Sequence, residues 1–211
     1  MKYSGMPLRM WALFNRSFRK QLGIVFHMDD GAASAVIAEA KARYKSIIGK
    51  LPEFERKDRF KSNIVNCAML CAIVLNMSER PDVDQLTTYY RQSMMIPAVE
   101  WFCRMNGKRK FGEKDVASMK EAAAFKAADR NPYSWNMEYI PYADGSGYEA
   151  RFTKCGICTL MQELGLHDLT PALCRLDYAM SEAGGASTFV RRHIIADGDP
   201  YCDCGYKKKR K

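Results

Sequence analysis

No apolar run in this chain is long enough to cross a bilayer: the longest, Cys67 to Leu75, falls far short of the ~20 residues a membrane helix needs. A membrane span is not expected. The opening Met1-Lys2-Tyr3-Ser4-Gly5-Met6 has no basic segment leading into a continuous apolar core and a small-residue cleavage site, so no secretory leader is read and the expected location is cytoplasmic. Histidine is scarce: His27, His167 and His193 are scattered without zinc or catalytic spacing, and His193 alone lies near other reactive residues. Charge of one sign is also thin once it is located. The net charge is +9, but five charges sit in the tail Lys207–Lys211, which leaves +4. With no recognition motif beside it, the tail reads as a solvated segment and nucleic acid is not an expected partner.

What is there is a globular composition of 211 residues, 47% of them apolar, with eight cysteines. That length suffices for a substantial core. In a reducing compartment the cysteines are expected to be free, catalytic or metal-bound rather than paired.

Residues 1–130 read as a helical region. Val36, Ile37, Ala40, Tyr44, Ile47, Ile48 and Leu51 recur at helical spacing, with Asp29 or Asp30 as a cap and Pro52 as a stop. A second run, Phe60 to Leu75, has the same period. A third carries Leu86, Tyr89, Tyr90, Met94 and Trp101, and Pro97 is expected to kink or divide it. Asn106 to Gly112 reads as a basic loop, and a further helix is expected over Glu113 to Ala128.

Residues 131–211 read as a cysteine-rich α+β region packed with the first as one unit. Trp135, Met137 and Tyr139 alternate with polar residues, as do Tyr148, Ala150 and Phe152, and Asp144-Gly-Ser-Gly147 lies between them, which predicts a β-hairpin. A short helix is expected over Ile157 to Leu164. Thr170 then caps a helix started by Pro171 and running to about Glu182, and two final strands cover Thr188 to Ile195 and Tyr201 to Lys207. The fold class is α+β, a helical N-terminal region against a C-terminal antiparallel sheet carrying two helices.

The chemistry concentrates in Cys155-Gly-Ile-Cys158, Cys174-Arg-Leu-Asp177 and Cys202-Asp-Cys204. Cys67 and Cys71, four apart on an apolar helix face, read as core, and Cys103 carries no functional reading. Cys155 and Cys158 stand at a strand-to-helix junction, where helix amides stabilise a thiolate, so a redox pair is one reading. Cys174 and Asp177 are three apart on one helix face. Cys202 and Cys204 alternate to one side of a strand while Asp203 faces away. Cys155, Cys158, Cys174 and Cys202 are the candidate ligands of a zinc or iron ion; plain core cysteines are the alternative.

The ordered set Phe152-Thr-Lys-Cys-Gly-Ile-Cys158, Leu169 to Asp177, and Arg191 followed by Ala196-Asp-Gly-Asp-Pro-Tyr-Cys-Asp203 resembles the L-2-amino-thiazoline-4-carboxylic acid hydrolase family. The resemblance covers the last eighty or so residues closely. Cys204 and Arg192-His193-Ile194 depart from it, where the family favours an aromatic residue and threonines, which bears on the substrate. It implies a hydrolase that opens a small sulfur–nitrogen ring and yields a carbamoyl-cysteine from an aminothiazoline carboxylate.

Ring opening at an amidine-like carbon needs a nucleophile, a proton carrier and a charge to hold the substrate carboxylate. Cys174 and Cys202 are the central candidates, as direct thiolate nucleophiles or as ligands of a metal that activates water. Asp177 is the candidate general base or carboxylate ligand, Arg191 the candidate carboxylate clamp, and His193 a candidate substrate contact. The rival reading is a small-molecule-binding or sensory domain, similar in outline to the 4-vinyl reductase type, whose cysteines hold a structural metal.

Overall fold

Trp11, Phe14, Phe18 and Leu22 recur every three or four residues and form the buried stripe of helix α1 (Met6–Phe26). The periodicity reading starts its helices at Val36 and does not resolve this one. The computed structural model describes residues 1–127 and 129–209. The expected helix end at Ala128 and the last two tail residues therefore lie outside the described residues.

Helix α2 (Asp30–Lys50) starts where Asp29 accepts a hydrogen bond from the Ala32 amide at 2.8 Å. In α3 (Lys61–Val74), Ile64, Val65 and every residue from Cys67 to Val74 are buried. Its pattern predicts one apolar face, but α1 and α2 both pack on it, so it is apolar nearly all round and forms the centre of the helical core. Asp82 and Gln85 form a reciprocal capping box at the start of α4 (Val83–Met94). Pro97 opens α5 (Pro97–Gly107), so the third expected helix is divided there. Helix α6 is Glu113–Ala127.

The sheet has the order β1-β2-β4-β3, antiparallel throughout, with β1 (Glu138–Pro141), β2 (Gly147–Phe152), β3 (Ser187–Val190) and β4 (Cys202–Lys208). Trp135 and Met137, expected in the first strand, precede it and are buried in the core instead. The expected strand to Ile195 stops at Val190, and a 3-10 turn at Ile195–Asp197 follows. Register opposes Tyr148 to Tyr206, Ala150 to Cys204 and Phe152 to Cys202. With Phe189, Met137 and Met119, that face forms a second apolar cluster.

Three helices lie between β2 and β4: α7 (Gly156–Glu163), α8 (Thr170–Cys174) and α9 (Leu176–Gly184). The predicted capping role of Thr170 fails: its hydroxyl is buried without a partner, because a 3-10 turn runs directly into α8 and leaves no open amide to cap. The single helix expected to Glu182 is interrupted at Arg175. Leu160, Met161, Leu169 and Leu173 join the core built on α1 to α4, so one apolar cluster spans both regions.

A close helix contact sets one wall of the site, and a buried charge cluster lies outside it. A Cβ on Gly107 would lie 1.9 Å from the Gly184 carbonyl oxygen, so α5 and α9 meet backbone to backbone. Below them, the fully buried Lys126 ammonium donates to Asp58, Asp129 and Ser134, each at 2.5 Å, and the Ser134 hydroxyl donates to Asp58 at 2.7 Å. Such a charge is tolerable in an interior only because every partner is present.

Candidate active site

Asp177 sits in the first turn of α9, two residues after the interruption at Arg175 that separates it from Cys174. Arg191, just past the end of β3, faces it. The Arg191 guanidinium donates to the Asp177 carboxylate, to the Cys174 carbonyl at 3.0 Å and to the Cys204 sulfur at 3.0 Å, and it lies 4.7 Å from the Phe189 ring centre. Its side chain is 3% exposed whereas that of Asp177 is 42% exposed. The buried arginine is thus committed to holding the carboxylate, and the carboxylate is the member that meets solvent. Burial disfavours the guanidinium charge, but Asp177, Cys204 and Cys174 outweigh it and Arg191 is held more firmly protonated than usual.

In front of Asp177 opens a cleft of 1350 Å³ between α5, α6, α9 and the inner face of the sheet. Arg59, Lys110, Asp115, Tyr148 and Tyr206 also line it. Of the residues picked from sequence, Asp177 reaches this wall; Cys174 and Arg191 stand behind it. His193 is elsewhere: its imidazole lies 3.6 Å from Asp199 and 4.8 Å from the Tyr201 ring, and its amide donates to Asp203 at 2.6 Å. Asp203 does face away from Cys202 and Cys204, which are buried in the cluster under the sheet.

All eight cysteines are unpaired, and their environments divide them sharply. Cys155 precedes the first turn of α7, and its pKa is lowered: the Cys158 thiol donates to it, and the Cys158 and Ile157 amides and the Trp135 indole add their bonds against the opposing effect of burial. Cys158 is raised in turn by bonding to Cys155 and by burial. Burial raises Cys174 despite Arg191, and raises Cys202 despite the Ile195 amide that donates to its sulfur at 3.2 Å. Cys204 is pushed up to about 12, again by burial. Burial thus disfavours the thiolate at the two central candidates from sequence, Cys174 and Cys202, whereas the groups around Cys155 favour it.

The model of the L-2-amino-thiazoline-4-carboxylic acid hydrolase family matches residues 55–206. The chain belongs to this family. No curated relative and no solved structure matches it.

The hydrolase family match begins just before Asp58 and takes in the cleft, Asp177, Arg191 and all five late cysteines, while α1 and α2 lie outside it. Cys155, Cys158, Cys174 and Cys202 feel one another's charge, yet among the described residues no three His, Cys, Asp or Glu side chains gather into a group able to hold a metal. Near Cys174, Cys204 and Asp177 the positive charge is already supplied by Arg191. The rival sensory reading relies on the same metal site. Sequence reasoning missed Arg59, Lys110, Asp115 and Tyr148 as wall residues of this hydrolase-family cleft. The one signal is the basic run Lys108-Arg-Lys110 between two glycines, which by itself reads as a plain loop.

Proposed function

We propose that the protein hydrolyses a small cyclic C–N substrate of the aminothiazoline carboxylate type in the cleft, with Asp177 as the general base. The observation that carries this reading is the half-exposed Asp177 carboxylate on the cleft wall, fixed from behind by a sealed arginine. A fixed carboxylate facing open space is suited to orient a water and take its proton. Water adds to the amidine-like ring carbon while Asp177 takes one of its protons and delivers it to the ring nitrogen, to which the C=N electron pair moves. In the collapse of the tetrahedral carbon to a carbonyl the ring C–S bond breaks, and Asp177 takes the hydroxyl proton and delivers it to the departing sulfur, which leaves as a thiol. Arg191 is a positioning residue in this scheme. It fixes the carboxylate and keeps its charge compensated.

The cleft exceeds the ~300–1,000 Å³ of ordinary small-molecule pockets. Substrates larger than an aminothiazoline fit it as well. The test is turnover of L-2-amino-thiazoline-4-carboxylate to a carbamoyl-cysteine, followed by mass spectrometry, in the wild type and Asp177→Asn. Turnover in the wild type and its loss in a folded variant support the reading; equal turnover in both removes Asp177 from the mechanism.

A second reading is favoured by one observation, the lowered pKa of Cys155 beside the Cys158 thiol. It makes the pair a redox couple. Thiol titration across controlled redox potentials tests it: a reversible two-electron step lost in Cys155→Ser supports the couple, and its absence rules it out.

A further inference from the structure

Phe111 is a bulky residue with φ of 66°, the left-handed region that side chains other than glycine rarely adopt. Such strain persists only where surrounding structure imposes it, and it concentrates at binding and catalytic sites. Here the Phe111 amide donates to Asp115 at 2.8 Å, and the same carboxylate oxygen accepts the Tyr148 hydroxyl at 2.9 Å. The effect is to turn the preceding residue, Lys110, into the cleft. Its ammonium lies 3.3 Å from the Tyr148 oxygen and 3.5 Å from the centre of the Tyr206 ring.

Lys110 is partly buried, yet among the described residues no carboxylate stands within 4.0 Å of its ammonium. Asp115, the nearest candidate, is occupied by Phe111 and Tyr148. Arg59, across the cleft wall, adds a second positive charge rather than a counter-ion. A cation desolvated among aromatic rings without an anion is an incomplete arrangement, and an incoming carboxylate completes it. Tyr148 and Tyr206 line this side of the cleft and give a flat ring aromatic atoms to pack against.

We propose that Lys110, with Arg59, forms the subsite that binds the carboxylate of a planar heterocyclic acid, the ring resting against Tyr148 and Tyr206. This rests on the reading of the cleft as the substrate chamber, and it gives the clamp role to residues other than the committed Arg191. It places specificity for an acid over its neutral counterpart in a loop that hydrophobic periodicity does not single out.

The subsite has a pH signature. Burial lowers Lys110 to about 8, with Asp115 opposing and Arg59 reinforcing the effect. The other titratable groups facing it are Tyr148 and Tyr206, both pushed upward by burial and so neutral in this range. Loss of the Lys110 proton above about pH 8 therefore weakens an acid's binding and leaves a neutral ring unaffected.

The probe is 2-aminothiazole-4-carboxylate, whose aromatic ring resists opening, against neutral 2-aminothiazole, titrated calorimetrically into the full chain. The expected result is at least tenfold tighter binding of the acid by the wild type at pH 7, a preference lost in Lys110→Met, kept in Lys110→Arg, and lost in the wild type at pH 9.5. Equal or absent binding of the two probes, or a preference that survives in Lys110→Met or at pH 9.5, overturns the proposal. The wild-type pH arm stands even if the methionine variant fails to fold. Acid binding without turnover would sink the hydrolase reading and leave the subsite. Turnover whose KM is unchanged in Lys110→Met would sink the subsite alone.

Discussion

Helix α3 and the start of α7 carry cysteines at similar spacing, and the two pairs behave in opposite ways. Cys67 and Cys71 lie mid-helix in the closed core, their sulfurs 3.8 Å apart, and burial raises Cys67 far above its ordinary pKa. Cys155 lies at a helix start, where a thiol, two amides and an indole converge on it and lower its pKa. Cysteine density does not decide reactivity; the donors around the sulfur do. The same contrast separates the two halves of the protein. In the helical interior the buried charge of Lys126 is fully partnered and only neutral groups such as Asn66 and Thr170 lack a bond, whereas around the cleft Asp177 and Lys110 keep charged capacity facing outward.

The strongest way to test that contrast is on the cleft side. Asp177→Asn keeps an acceptor for Arg191 but no base, so turnover falls by about 10³-fold while the thermal midpoint barely moves. A matching loss of midpoint would make Asp177 a structural residue. On the closed side, Lys126→Met strands Asp58 and Asp129 in the interior and costs about 3–5 kcal/mol in a urea unfolding measurement. A loss below 1 kcal/mol would show water reaching the cluster, by the standard of exposed ion pairs of about 0–1 kcal/mol.

The thiol comparison itself is sharpened by alkylation with iodoacetamide at pH 7, read residue by residue. Cys155 should react at least about tenfold faster than Cys67 or Cys71, and equal rates would erase the distinction. A smaller effect follows from Cys204. Its folded pKa, raised to about 12, exceeds that of the unfolded thiol, so its contribution is complete below about pH 9 and is lost as pH rises toward 12. Cys204→Ala should therefore lose about 1 kcal/mol less stability than the wild type between pH 8 and 10. Smallest of all, Arg80→Ala removes an exposed pair with Asp168 at 2.5 Å and changes stability by under about 1 kcal/mol.

Much of the architecture was legible because local signals agree with the final structure. Asp29, Pro97, and the alternation of Tyr148, Ala150 and Phe152 each act within a few residues. Helix α1 was missed although Trp11, Phe14, Phe18 and Leu22 mark it plainly. The uncapped Thr170 could not be read, because the 3-10 turn ahead of it depends on how Leu169 packs into the core. Asp177 is singled out by its spacing from Cys174 and Arg191 through the family likeness, but their division of labour is not legible, since it depends on which of the two is sealed.

By itself the sequence determined the fold class, the helical and sheet regions, the family and the span in which the chemistry lies, because periodicity, caps and ordered motifs are properties of near neighbours in the chain. The tertiary structure alone decided that Arg191 supports Asp177, that the surroundings of Cys155 favour its thiolate, and that Lys110, Asp115 and Tyr148 meet in one cleft. Those outcomes depend on desolvation and on distances between residues remote in sequence. Both quantities exist only after the helices have packed against the sheet.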